Sequence, residues 1–272
     1  ADTFGDERSW SVPAFRPGPR YYYTEEGISA AKAVYQQLYK PTDLEPDDWT
    51  TKLVFGPATE APDVPDSTLY DGQVADRAVA SLKELSQKPD EPFFLAVGFI
   101  KPHSPYIAPK KYWDLYDPAA IDIAGQTDFL EGVPKIALHN SGELRRYTDQ
   151  AKTGPIPDEV QRRVKHAYYA CISYIDAQVG RVLAELDAQG LRDNTIVVLW
   201  SDHGYHLGEQ NLWGKTTNFE LDTRVPLIVR APGRAGNGQV SDALVELVDL
   251  FPSLTDLCGL PQPHGLEGSS FV

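Results

Sequence analysis

The spacing of apolar positions divides the chain near residue 71. Over 1–70, prolines, aromatics and acids follow one another without a period: Trp10, Pro13, Pro17, Pro19, Tyr21 to Tyr23, Pro41 and Pro46. Only Ile28 to Tyr39 reads there as a short helix. An irregular stretch of this length is unusual inside a compact domain. It is expected to pack over a scaffold supplied by 71–272 rather than to hold a core of its own.

From Asp71 the pattern becomes periodic. Val74, Ala78, Leu82 and Leu85 recur at helical spacing and predict an amphipathic helix to about Gln87. Phe93 to Ile100 is a continuous apolar run between Pro92 and Pro102, the pattern of a central strand covered on both faces. It leads into Lys101-Pro102-His103. Pro109 to Tyr116 predicts a short helix, and 118–157 returns to loop. Val160, Val164, Tyr168, Cys171, Ile175, Val179, Val182 and Leu186 then fall at steps of four and three, with Gly190 where a helix stop belongs. Thr195 to Trp200 reads as a second buried strand, leading into Ser201-Asp202-His203-Gly204. Val225 to Arg230 is a third, and Asp249 to Leu257 a helix with Pro252 in its first turn.

This order predicts an α/β fold with a mostly parallel central sheet flanked by helices. Open sheets of that kind bind ligands beyond the carboxyl ends of their strands. The polar clusters at 101–103 and 202–203 each follow a predicted strand, so they are expected to share one rim.

Composition changes this picture only at its edges. Of 272 residues, 42% are hydrophobic and 24% charged, and the formal net charge is -14. That balance argues against nucleic acid as a partner, since phosphate backbones want a basic face. A few converging cations still suffice for one sulfate or phosphate group. No apolar run approaches the roughly 20 residues of a spanning helix, so no membrane span is expected. Cys171 and Cys258 lack metal-type spacing and leave the compartment open. The chain opens Ala1-Asp2-Thr3-Phe4 and holds no methionine, so any signal peptide is expected upstream.

Candidate chemistry centres on Asp202 and His203. A carboxylate and an imidazole after a strand, followed by Gly204, can point at one cation: the oxygen suits calcium or magnesium, the nitrogen a softer ion. A lone Asp-His pair is more often a turn cap beside a satisfied histidine, and its neighbours decide the matter. Gly204 to Glu209 and Trp213-Gly214-Lys215 supply glycines that let the loop fold back, so Lys215 can present an ammonium to an anion. His103 can hydrogen-bond or protonate an ester oxygen near neutral pH. His206 stays a candidate by proximity, whereas His139, His166 and His264 lie in surface-like contexts. Cys171 sits in the helical apolar stripe and reads as a packed core thiol.

Taken together, these segments resemble the sulfatases of the alkaline-phosphatase-like superfamily, most of all the iduronate-2-sulfatase branch. The likeness is carried by Pro92 to Gly98 running into Lys101-Pro102-His103, by Tyr168 to Asp176, and by Gln178-Val179-Gly180-Arg181. It continues in Ser201 to Glu209, Trp213-Gly214-Lys215, Val225 to Ile228 and Val248 to Pro252. The resemblance implies a metal-dependent sulfuric ester hydrolase whose nucleophile is a formylglycine. That residue is made from the Cys or Ser of a Cys/Ser-x-Pro-Ser-Arg motif. It also implies a divalent cation, usually Ca2+, with Asp202 and His203 at the metal. Lys215 and His103 would bind the sulfate and serve catalysis, and Tyr205 would contact the substrate. The implied substrate is a sulfated carbohydrate or another small sulfate ester, and the implied compartment periplasmic, secreted or lysosomal.

Neither cysteine is followed by Pro-Ser-Arg, so the motif is expected before residue 1 and the fold is expected to be incomplete at both ends. A missing N-terminal segment of the same protein then becomes a candidate partner. Two alternatives stay open: a phosphonate or phosphodiester hydrolase of the same superfamily, and an inactive remnant acting as a binding module.

Overall fold

Helical periodicity over 160–186 is realised as one long helix. The computed structural model describes residues 8–18, 21–38, 54–125 and 131–272. In chain order these form α1 (Glu25–Leu38), β1 (Thr59–Glu60), α2 (Tyr70–Ser86), β2 (Tyr106–Ile107), α3 (Lys110–Trp113), α4 (Gly142–Arg145) and α5 (Asp158–Ala188). There follow β3 (Val197–Trp200), β4 (His206–Leu207), β5 (Trp213–Gly214), α6 (Glu220–Thr223), β6 (Leu227–Arg230) and α7 (Leu250–Leu257). The chain divides into two compact units. One holds everything up to Gln189 together with Tyr205–Thr217; the other holds Gly190–Gly204 and Asn218–Val272.

In the first unit α5, about 46 Å long at 1.5 Å per residue, buries one stripe. Val164, Ala167, Ala170, Cys171 and Tyr174 lie on it and have no appreciable exposure. Its last turn ends as the sequence predicts, with Gly190 at a φ of 70°. Ala75, Ala78 and Leu82 form the buried side of α2, which packs along α5. Fully burying a leucine such as Leu82 contributes about 1.5–3 kcal/mol. Small residues on both helices let the backbones approach, and the rim of their contact is polar. Lys83 pairs with Glu185 at 3.7 Å, Arg181 with Asp76, and Ser86 Oγ donates to Gln189 Oε1 at 2.8 Å. Asp66 ties three segments together, accepting from Tyr112 Oη at 2.7 Å and Gln178 Nε2 at 3.1 Å and pairing with Lys111 at 2.7 Å.

Residues before 71 add to the same core. Tyr22, Ala31, Tyr35, Val54, Ala58 and Leu69 are all buried. Glu60, on β1, accepts the backbone N–H groups of Tyr23 and Thr24 at 2.8 Å each and so fixes the entry to α1. Tyr39, at the predicted end of that helix, and the prolines at 19, 41 and 46 lie outside the described residues.

Two sequence expectations need correction. Phe93 to Ile100 enters no ladder among the described residues, and its exposure alternates, with Phe94 at 72%. The composition is that of a covered strand, but a strand also needs neighbours to take its N–H and C=O groups. The end of this run is instead held by a side chain: buried Asp71, in the first turn of α2, accepts from Ile100 N at 2.7 Å and Lys101 N at 3.1 Å. The predicted strand over 195–200 is present as β3, but it is only half-buried and Trp200 is exposed. In the second unit β3 pairs with β6 alone, in antiparallel register from Val197↔Arg230 to Trp200↔Leu227. The chain between the two strands holds no long crossover helix of the kind a parallel pair needs. Among its described residues the first unit holds one parallel pair, β1 with β2, and one antiparallel hairpin, β4 with β5.

Cys171 is the packed core thiol that the stripe predicts, and burial pushes it from 9.0 up to about 12. A raised folded-state pKa adds stability that is complete below pH 9 and is lost as pH rises through about 12. The urea midpoint of the protein is therefore expected to fall between pH 9 and 11. Cys171→Ala should flatten that fall, leaving the share contributed by buried tyrosines such as Tyr168, also raised to about 12. Parallel curves for the two proteins would show that the thiol plays no part.

Candidate active site

The first cluster is built from a turn, a short helix and a hairpin. Past Asp71 the chain enters Lys101-Pro102-His103-Ser104-Pro105, in which both X–Pro bonds are cis. Lys101 Nζ closes this turn on itself, donating to the carbonyls of His103 at 2.8 Å and Pro105 at 2.7 Å. His103 Nδ1 lies 2.7 Å from the Ser104 carbonyl. A carbonyl only accepts, so Nδ1 carries the proton and the neutral ring turns the lone pair of Nε2 outward.

What Nε2 meets is Lys215. That residue follows β5, whose partner β4 presents His206 opposite Gly214 and Leu207 opposite Trp213. Trp213 and His206 are both buried, which roots the hairpin in the core. Trp213 N donates to Ser141 Oγ at 3.0 Å, and Ser141 caps α4, the helix that carries Glu143. One buried hydroxyl thus registers two elements against each other. The result is a tight polar group: Lys215 Nζ lies 3.3 Å from His103 Nε2 and 2.9–3.0 Å from both oxygens of Glu143. Glu143 Oε1 also sits 3.3 Å from His103 Nε2 and accepts from Ser104 Oγ at 3.2 Å.

Electrostatics follow from these distances. For Glu143, burial works to raise the carboxyl. The hydrogen bonds and charge of Lys215, the charge of His103 and the Ser104 hydroxyl outweigh it and hold the group below the usual carboxylate range. His103 is driven the other way. Burial lowers it most, and Lys215 and Lys101 add to this, against the Ser104 carbonyl and Glu143. Near neutrality the ring is therefore uncharged and the Glu143 carboxylate is ionised. The side chain of Lys215 is only 17% exposed and that of His103 48%, so the imidazole is the reachable face of the group.

Tyr205 packs between Tyr106 and Tyr168, and its hydroxyl accepts from Tyr106 Oη at 2.6 Å. His206 belongs to the hairpin core. His166, expected at the surface, is buried instead, with Nε2 2.9 Å from the Trp113 carbonyl and its ring edge-on to the indole. The α5 stripe spacing did not mark it, because at 100° per residue position 166 falls on the side of the helix opposite the predicted stripe. Glu143 was missed outright; it lies in a segment read as loop, and nothing in Ser141-Gly142-Glu143 signals a site.

The second cluster belongs to the other unit. Asp202 and His203 leave the end of β3 and turn at Gly204, whose N–H donates to Asp222 O at 2.7 Å. A Cβ on Gly204 would lie 1.9 Å from Leu221 O, so only glycine fits. His203 Nδ1 lies 2.8 Å from the Gly204 carbonyl, which again assigns the proton to Nδ1 and frees Nε2. Asp202 Oδ2 is 3.8 Å from that nitrogen, and its side chain is 84% exposed. Two donors at this separation fit a single cation held at roughly 2.0–2.6 Å. Among the described residues no group of three or more His, Cys, Asp or Glu side chains is arranged to hold a metal.

Comparison with known proteins defines the class first. The fold is similar to that of the phosphonate monoester hydrolase of Silicibacter pomeroyi, with a TM-score of 0.64 and 26% identity over 76% of this chain and 41% of that one. It is the mixed α/β architecture of alkaline-phosphatase-like enzymes. The model of the family described as Sulfatase matches residues 22–260, and the chain belongs to that family. The iduronate 2-sulfatases of Mus musculus and Homo sapiens are each 34% identical to it over 97% of this chain. The chain spans about half the length of these relatives, 50% in both cases.

The Ser141–Trp213 hydrogen bond can be tested directly. Ser141→Ala leaves a buried N–H without its acceptor and is expected to cost about 1–3 kcal/mol in urea unfolding. A loss below about 0.5 kcal/mol would mean that α4 and the hairpin are registered by other contacts.

Proposed function

We propose that this chain contributes the anion-binding residues and two cation ligands of a sulfuric ester hydrolase. The observation that carries the reading is the approach of Lys215 Nζ and His103 Nε2 to 3.3 Å, in a chain of the sulfatase family. In this assignment Lys215 pairs with a sulfate oxygen. His103, when protonated, donates from Nε2 to the ester oxygen that leaves as the bond to sulfur breaks. Asp202 Oδ2 and His203 Nε2 would hold a divalent cation, Ca2+ by the carboxylate's preference for a hard ion. Such a cation would supply positive charge for an anionic oxygen when bound. Tyr205 belongs to the substrate side of this assignment through the family resemblance; its oxygen accepts from Tyr106, which leaves its own O–H to donate to a sugar.

The family's formylglycine has no counterpart in these 272 residues, because no Cys or Ser stands in the required motif. No bond-making step is therefore assigned to the chain itself. The iduronate 2-sulfatase relatives support a sulfated sugar as the substrate class. The likeness to a phosphonate monoester hydrolase supports a second reading, in which the ester is a phosphonate or phosphate diester held by the same pair.

Two measurements test the reading. Phenyl sulfate is expected to bind the chain saturably, with Lys215→Ala weakening it at least about tenfold, the scale of one lost charged hydrogen bond. No saturable binding to the unsubstituted chain would overturn the assignment. Turnover of an aryl sulfate by the 272-residue chain is expected to be nil, and robust turnover would require another nucleophile.

A further inference from the structure

In the free chain His103 lacks the proton that a leaving ester oxygen would need, and the hydrogen bonds of Lys215 show why. An ammonium has three N–H donors. Two meet the Glu143 oxygens at 2.9 and 3.0 Å, and the third meets His103 Nε2 at 3.3 Å. With Nδ1–H given to the Ser104 carbonyl, the Nε2 lone pair is the ring's one acceptor, and Lys215 satisfies it. All three donors are engaged, so an incoming ester oxygen must displace one of these bonds. The pair to Glu143 is short and joins two charged groups. The bond to the neutral imidazole is the longest of the three and lies toward the half-exposed side of the cluster. It is the one to give way.

We propose that an anionic ester docking on Lys215 breaks the Lys215–His103 hydrogen bond and makes His103 take up a proton at Nε2, so that the general acid is loaded only once its ligand is in place. This inference rests on the anion-binding role proposed for Lys215. Without the lysine N–H, the Nε2 lone pair faces two acceptors: the ligand oxygen and, at 3.3 Å, Glu143 Oε1. A buried or half-buried acceptor left without a donor is costly. One proton from solvent turns the same nitrogen into a donor to these oxygens. Nδ1 keeps its own proton, so the ring passes from neutral imidazole to imidazolium.

Electrostatics act in the same sense. Burial lowers the free imidazole most, the Ser104 carbonyl and Glu143 raise it, and Lys215 and Lys101 lower it. A bound anion offsets the charge of Lys215. Lys101 Nζ is tied to the carbonyls of His103 and Pro105 and contributes the same charge before and after. A group whose pKa is raised in the complex makes binding tighter as pH falls through that raised value, and the gain levels off below the pKa of the free chain. Glu143 is held below the usual carboxylate range and stays ionised over this window.

The test follows the imidazole of His103 by NMR in the 272-residue chain, free and saturated with phenyl sulfate. EDTA is present, so that no cation at Asp202 and His203 enters the balance, and His103→Gln identifies the resonance. The imidazole is expected to titrate about one pH unit higher in the complex, and the dissociation constant to fall about tenfold between about pH 8 and about pH 5.5. Calorimetry near neutrality, in buffers of different ionisation enthalpy, needs no variant and should show net proton uptake on binding. Lys215→Met removes the donor without any ligand and should raise the titration of His103 in the free chain. A packing role for His103 would move none of these readouts.

Saturable binding without proton uptake, or with a His103 titration that does not rise, overturns the inference and leaves the anion site standing. A free-chain titration unaltered in Lys215→Met does the same. Absence of saturable phenyl sulfate binding overturns the anion site itself, and this inference with it.

Discussion

A carboxylate removed from water must be answered by donors, and Asp71 is answered by the backbone of Ile100 and Lys101. Burial raises its pKa, and the two N–H bonds and the charge of Lys101 work against that rise. The consequence runs outward. The apolar run over 93–100 has no ladder among the described residues, so this side chain decides where the run stops and the Lys101–Pro105 turn begins. His103 is set by that turn, and the position of His103 decides what Lys215 and Glu143 can reach. A helix terminus and a loop 29 residues apart in sequence thus share one anchor.

The same logic repeats at smaller scale. Glu60 answers the N–H groups ahead of α1, Asp66 gathers Tyr112, Gln178 and Lys111, and Ser141 takes the N–H of Trp213. Each is a polar side chain buried or half-buried where two or three segments meet. Apolar contact between α2 and α5 supplies the cohesion, but it is tolerant of sliding. The polar junctions are directional, and they fix the register that brings a lysine to 3.3 Å from an imidazole.

How much of this was legible in the sequence depends on the range of the signal. The α5 helix, the Gly190 stop, the buried Cys171 and the short helix after Pro109 are local, and each is found where periodicity or turn chemistry puts it, although the buried face of α5 is turned from the predicted stripe toward Ala167, Ala170 and Tyr174. His103 and Lys215 were legible as candidates for one rim, from the strand-end position of the first, the loop glycines ahead of the second and the family resemblance. Asp202 and His203 were legible in the same way, with the need for Gly204 visible only once Leu221 was seen beside it. Glu143 was not legible at all, because its role arises from contact with residues 40 and 72 positions away. The strand over 93–100 failed for a related reason. An apolar run states what a segment would bury, whereas pairing depends on partners that the run does not name.

That run has a practical side. Phe94, Ala96 and Ile100 are exposed on one edge of a stretch whose alternate side chains, Phe93, Leu95, Val97 and Phe99, are half-buried, and the tilted ring of Trp10 lies 5.9 Å from Phe94. Eight consecutive apolar residues with no charge and no internal proline have the composition of a self-templating β segment. In concentrated solution such a stretch recruits its own kind, one copy adding its backbone to the next. Yield and shelf life of the purified polypeptide are then governed less by the strength of its helical core than by how well this short greasy seam is kept from meeting another.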